Sequence, residues 1–238
     1  MKDRRQFIKL AAAVTAVAGS LPAFAASSRS TRIGVIGSGK VGSAIGRSWI
    51  KSGHEVMFSS RNLDKDKTLA SELGAKARAG TPAEAAAFGE AVLIAVPYGA
   101  LPELGKSLGS ALKGKVVIDA CNPFPARDGE IADRAREKGA GVTSAELLPG
   151  ARIVRAFNAI GAARMGAAIE TPGKIGMPIA GDDAQAIALA SQLIRDMGYE
   201  PVLVGGLDMG KYLMPGTPLA GEHTPDEIRE IVAKLKSQ

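Results

Sequence analysis

The sequence predicts an α/β protein: a Rossmann-type, doubly wound, mostly parallel sheet with a short C-terminal extension. Three observations predict it. A glycine-rich turn joins an apolar run to a helical period, short fully apolar runs recur along the chain, and helix-start signatures stand between them. The first run is Arg32-Ile33-Gly34-Val35-Ile36, followed at once by Gly37-Ser38-Gly39-Lys40-Val41-Gly42 and then by Ser43 to Ile50 with helical spacing. Runs without an alternating polar face are what strands covered on both sides require.

The order strand, glycine turn, helix carries chemistry. The first glycine permits a tight turn, the second lets the backbone approach a pyrophosphate, and the third lets the helix pack closely on the strand. Unpaired N–H groups at the helix start then face the phosphates. Gly37, Ser38, Gly39, Lys40, Val41 and Gly42 are therefore the expected dinucleotide cradle. A second strand, Glu55 to Ser59, follows the turn Ser52-Gly53-His54, where His54 is expected to make a structural hydrogen bond. Its tip reads Ser60-Arg61-Asn62-Leu63-Asp64-Lys65, without the acid that usually accepts from a ribose 2′-hydroxyl in NAD enzymes. A guanidinium grips a 2′-phosphate and a serine hydroxyl can donate to it, so Ser60, Arg61 and Lys65 point to NADP(H).

Downstream, Thr81-Pro82-Ala83-Glu84 is a helix start with its cap, N1 proline and N3 glutamate. The apolar run Ala91 to Ala95 reads as a central strand ending in Val96-Pro97-Tyr98. Ligands lie at the carboxyl ends of strands in doubly wound sheets, which assigns Ala95, Val96 and Pro97 to the nicotinamide side. Tyr98 is balanced between a site residue and a half-exposed loop aromatic. Strands are expected at Lys115 to Asp119 and at Ile153 to Ala156, closing in Asn122 and Asn158, whose amides could meet the nicotinamide carboxamide or a polar substrate group. Two more strands, Ile175 to Ala180 and Pro201 to Val204, flank a helix from Ala184 to Met197. The stretch from Gly205 to His223, rich in glycine and proline, is expected as a flap over the site, and Thr224-Pro225-Asp226-Glu227 starts a last helix through Lys236.

Composition narrows the function classes. The lone Cys121 and two histidines cannot assemble a four-ligand zinc site, so no metal is expected, and Cys121 without a neighbouring base reads as an inert buried thiol. The net charge of +6 is concentrated at the start, where Lys2, Arg4, Arg5 and Lys9 against Asp3 give +3. The remainder is too mild for a nucleic-acid footprint. That basic start, an apolar stretch from Leu10 to Ala18 and Ala23-Phe24-Ala25 form the three parts of a signal peptide over residues 1–25, with 26–31 as spacer and 32–238 as the folded domain. Asp3-Arg4-Arg5-Gln6-Phe7-Ile8-Lys9 resembles a twin-arginine export signal. The expected location is therefore periplasmic or extracytoplasmic, reached in the folded state. Expected partners are a small-molecule electron acceptor and the twin-arginine translocation machinery, with a homodimer left open; neither nucleic acid nor a stable membrane span is expected.

Taken together, the chain resembles the NADPH-dependent coenzyme F420 reductases from Arg32 to about Tyr212. The resemblance is carried by the glycine turn, Gly53-His54-Glu55-Val56, Ser59-Ser60-Arg61, Ala95-Val96-Pro97-Tyr98, Gly114 to Asp119 with Asn122-Pro123, Ala156-Phe157-Asn158 and Gly181-Asp182-Asp183. It implies hydride exchange between NADPH and a deazaflavin, a 2′-phosphate held by Ser60, Arg61 and Lys65, and a deazaflavin stacked near Pro97, Phe157 and Asn158. Such transfer needs alignment and water exclusion rather than a general acid. Competing readings are another NADP-linked reductase, of the imine, pyrroline-carboxylate or metalloreductase-like kind, and a non-catalytic exported NADP-binding module.

Overall fold

The computed structural model describes residues 30–237. The expected signal peptide and most of the spacer lie outside the described residues. The predicted α/β class is the one observed. Eight strands form one sheet: β1 (Arg32–Ile36), β2 (Glu55–Ser59), β3 (Ala77–Ala79), β4 (Ala91–Ile94), β5 (Val116–Asp119), β6 (Arg152–Arg155), β7 (Gly176–Gly181) and β8 (Glu200–Gly205). Their order is β3-β2-β1-β4-β5-β6-β7-β8, with only the β6–β7 pair antiparallel. The direction of strand order reverses between β1 and β4, which opens a crevice at their carboxyl ends. Among the described residues, no helix is long and apolar enough to cross a membrane.

The helices are α1 (Lys40–Lys51), α2 (Leu63–Leu73), α3 (Pro82–Phe88), α4 (Leu101–Leu112), α5 (Pro125–Asp128), α6 (Glu130–Lys138), α7 (Ala140–Leu147), α8 (Ala184–Arg195) and α9 (Pro225–Lys236). The predicted starts of α3 and α9 are both full capping boxes, on Thr81 with Glu84 and on Thr224 with Glu227. The absence of polar alternation in the central strands follows from burial on both faces: Ala91 and Leu93 pack under α1 and α8, while Val92 and Ile94 pack under α3 and α4. Ends shift by a residue or two from the expected bounds, and β3 is a three-residue edge strand that hydrophobic pattern does not disclose.

Two expectations are corrected by packing. The stretch from Gly205 to His223 is no flap. It opens with a 3₁₀ segment, Leu207–Leu213, and its Leu213 and Leu219 are 0% exposed in a small core with Val202, Val204 and Ile228. Its place is fixed by the Leu207 N–H donating to Asp182 Oδ1 at 3.1 Å and the Gly221 N–H donating to the Ala159 carbonyl at 2.9 Å. Tyr98 is 0% exposed rather than half-exposed, its hydroxyl donating to the Ala140 carbonyl at 2.8 Å beside Ser144 Oγ. Burial pushes its phenol well above the ordinary range, so it is a packing residue.

A charged pair closes the sheet's interior. Arg155 Nη1 donates to Asp119 Oδ2 at 2.7 Å with both side chains 0% exposed, and Asp119 Oδ1 accepts the Cys121 N–H at 2.8 Å. Cys121 is buried as expected, and desolvation lifts its thiol far above the usual range.

His54 is the predicted structural histidine. The Thr31 N–H donates to its Nδ1 at 3.2 Å, so the neutral ring carries its proton on Nε2 and donates to Asp196 Oδ2 at 3.0 Å. Burial holds the imidazole below its ordinary 6.5, against the pull of Asp196. A second proton would set a donor against the Thr31 N–H. The unfolded chain takes that proton more readily than the native one, so the stabilisation is complete above about pH 6.5 and lost on acidification below it. Thermal melts should show the midpoint falling from pH 7 to pH 5, and His54→Asn should flatten that slope; an unchanged slope would remove His54 as its cause.

Candidate cofactor and hydride-transfer site

The glycine turn sits where the sequence places it, and each glycine has a distinct steric reason. Gly37 adopts φ +99°, a conformation that an L side chain resists. A Cβ on Gly42 would lie 2.1 Å from the Gly37 carbonyl oxygen, so only glycine lets α1 start this close to the turn. A Cβ on Gly39 would meet nothing within 4 Å: its missing side chain leaves room that a ligand can use. Gly39 caps α1 without any side-chain hydrogen bond, and no acid stands in the first turn, so the helix presents its N–H groups and positive end outward. The Gly37 and Ser38 N–H groups are pinned to the Ser59 carbonyl at 2.9 and 3.1 Å.

From Gly39 the crevice runs both ways. On one side a hollow of about 300 Å³ is walled by Ser38, Gly39, Ser60, Arg61, Asn62 and Lys65. A larger hollow of about 600 Å³ joins Gly39, Ser60 and Arg61 to Ala95, Val96 and Pro97. On the far side a hollow of about 210 Å³ continues past Ala95, Val96 and Pro97 to Lys40, Val41 and Asn122. The site residues of the turn, the β2 tip, the β4 end and Asn122 are therefore brought together along one trough, except Gly42, which packs beneath it. Arg61 and Lys65 are both exposed at its rim. Asn62 caps α2 by accepting the Lys65 N–H at 3.0 Å, which fixes where the Lys65 stem leaves the helix.

Phe157 and Asn158 are not on that trough. Phe157 is 2% exposed, edge-on to Trp49 at 6.1 Å and Tyr199 at 6.5 Å, so its ring cannot stack on a second substrate. It is the one non-glycine among the described residues with a left-handed backbone, φ 67°, a strain held by that aromatic packing. Asn158, 2% exposed, donates from Nδ2 to the Cys121 carbonyl at 3.3 Å. Its own carbonyl accepts Asn122 Nδ2 at 2.8 Å. Asn158 thus braces Asn122 from behind. Both amide oxygens are buried without a protein partner, and that of Asn122 belongs to a residue lining the trough.

The residue that sequence reasoning missed is Asp66. It is 0% exposed, accepts the Ser60 hydroxyl on Oδ2 at 2.8 Å, and accepts the Ser38 hydroxyl on Oδ1. One carboxylate thus clasps the glycine turn to the β2 tip. It also corrects the role expected of Ser60, whose hydroxyl proton is committed to Asp66 and is not free for a 2′-phosphate. The signal was present in the helical spacing, because α2 buries Asp66 on the same stripe as Leu69 and Ala70. Asp66→Ala leaves two hydroxyls without their acceptor and is expected to cost about 1–3 kcal/mol in urea unfolding. Asp66→Asn should cost less; a neutral Ala variant would show that the clasp contributes nothing.

Fold and trough together define a Rossmann-type, NADP-linked oxidoreductase. A family profile described as NADP oxidoreductase, coenzyme F420-dependent, matches residues 32–123. The F420-dependent NADP reductase of Methanothermobacter marburgensis is 31% identical over 196 residues, covering 77% of this chain and 87% of the relative. The chain belongs to that family. Metalloreductase STEAP3 of Rattus norvegicus is 28% identical over 180 residues, 74% of this chain but only 34% of that protein. Among solved structures, a hypothetical protein from Sinorhizobium meliloti superimposes with a TM-score of 0.68 at 25% identity, over 82% of this chain and 95% of the other.

Proposed function

We propose that this chain exchanges hydride between NADPH and a deazaflavin acceptor of the coenzyme F420 type. The observation that carries the reading is the unbroken trough from the cations Arg61 and Lys65, over the open face of Gly39, to Pro97 and Asn122 at the ends of β4 and β5. The backbone N–H groups at the start of α1, from Gly39 to Gly42, hold the pyrophosphate, and Arg61 with Lys65 takes the 2′-phosphate. Asp66 sets the spacing between those two sites through Ser38 and Ser60. Asn122 lines the nicotinamide end of the trough, and Asn158 keeps the Asn122 side chain from rotating. NADPH supplies the hydride; the protein's part is to align two rings and keep water away. The acceptor assignment is supported by the F420-dependent relative, which the chain matches over most of its length.

The test is a fluorescence titration with NADPH and NADH. The protein should prefer NADPH, and Arg61→Ala should weaken NADPH about 10- to 100-fold, the value of one charged hydrogen bond, with little change for NADH. Equal affinity for the two nucleotides in the parent protein would sink the 2′-phosphate assignment. Turnover should appear with coenzyme F420; NADPH binding with background rates for F420, flavins and ferric chelates alike would leave a nucleotide-binding module.

We further propose that residues 1–25 direct export of the folded protein by the twin-arginine route, on the strength of Arg4-Arg5 ahead of Leu10 to Ala18. Arg4→Lys with Arg5→Lys should retain the protein in the cytoplasmic fraction; equal export of parent and variant would refute the route.

A further inference from the structure

With Phe157 buried, a different aromatic stands at the acceptor end of the trough. Phe124 is 42% exposed and, among the described large hydrophobics left exposed, is the one that lines a hollow of the site. That hollow, about 210 Å³, also carries Lys40, Pro97, Asn122 and Arg127, and no carboxylate lines it. The guanidinium of Arg127 lies over the Phe124 ring, 5.0 Å from its centroid.

Arg127 is held rather than waving. Its Nε and Nη2 donate to Asp128 Oδ1 and Oδ2 at 2.9 and 2.8 Å, and Nη2 also donates to the Asn122 carbonyl at 2.8 Å. The Asp128 carboxylate, 1% exposed, in turn accepts the Phe124 N–H at 3.0 Å and the Gly99 N–H at 3.2 Å. One buried acid thereby fixes the cation, the backbone of the aromatic and the loop after Pro97. Nη1 makes no hydrogen bond to any described residue, so one edge of a rigid guanidinium remains to donate. A ring left outside the core, a preset cation beside it, and a second cation, Lys40, lining the same hollow fit a flat anionic guest.

We propose that Phe124 and Arg127 seat the electron acceptor. The ring stacks on a planar heterocycle, and Arg127, with Lys40, takes an acidic substituent of that heterocycle. The ligand class is a fused, flat redox ring bearing a phosphate or carboxylate. The assignment rests on the reductase reading above.

Two flavins separate the ring from the charge: riboflavin and FMN share the heterocycle and differ by one phosphate. Each is titrated by flavin fluorescence into the full chain saturated with NADP+. FMN should bind about tenfold or more tightly than riboflavin, the worth of one charge-assisted hydrogen bond. Arg127→Gln should bring the ratio close to one, Arg127→Lys should keep part of it, and Phe124→Ala should weaken both flavins by a similar factor of about five. NADPH affinity should fall by a clearly smaller factor than flavin affinity in every variant. The proposal is overturned if the parent binds neither flavin, if its FMN preference survives Arg127→Gln, or if the variants weaken NADPH as much as flavin. Should Arg127→Gln fail to fold by circular dichroism, Phe124→Ala with Arg127→Lys carries the same decision. A parent protein that binds no NADPH defeats the reductase reading separately.

Discussion

Everything at the site depends on how closely two helices approach β1. A methyl group on Gly42 would press against the Gly37 carbonyl, and one on Gly34 would lie 2.0 Å from the Ala85 carbonyl oxygen of α3. A helix thus comes close on each face of the strand, α3 at Gly34 and α1 at the turn that follows Ile36. This sets the height of α1 above the sheet, and with it the position of the N–H groups that open onto Gly39. The trough exists because β2 and β4 lie on opposite sides of β1 and their connections leave in opposite directions.

Polar groups then hold the rim. Asp66, Asp128 and Asp119 are three carboxylates removed from solvent, and each binds a donor from a segment distant in sequence: the Ser38 hydroxyl, the Gly99 N–H and the Arg155 guanidinium. The Asp119–Arg155 pair is the deepest. Gly141 and Gly210 press on the Arg155 stem, where added Cβ atoms would lie 3.0 and 2.7 Å from its Cδ. A buried ion pair contributes little net stability, but removing one partner strands the other charge. Its evident result here is a fixed β5–β6 rim beneath Asn122 and Asn158.

Local order was legible in the sequence, and long-range contact was not. The strand–turn–helix unit, the two capping boxes and the fully apolar central strands follow from neighbours a few residues apart, so spacing alone discloses them. The fate of Tyr98 depends on Ala140 and Ser144, more than forty residues away, and that of Phe157 on Trp49 and Tyr199. No periodicity reports such partners. Asp66 and Arg155 were intermediate cases: each is a charge on an otherwise buried stripe or strand, a pattern that asks for a partner without naming it. The glycine- and proline-rich tail misled because those residues mark turns, and turns can pack as well as swing.

The antiparallel β7 has a further consequence. It joins β6 only at Val154–Gly181 and Arg155–Ala180, so the sheet is barely laced there. One tether that holds β7 and β8 to the nucleotide-binding half is α8, through Trp49 Nε1 donating to the Leu193 carbonyl at 2.9 Å, Ser52 Oγ donating to the Asp196 carbonyl, and His54 on the Asp196 carboxylate. Part of the native cooperativity across the molecule therefore passes through that helix end, beside the packing of Leu207 and Met214 into the central core. Hydrogen exchange would find the distal edge opening as its own sub-global unit, with the indole of Trp49 as the hinge pin between the two.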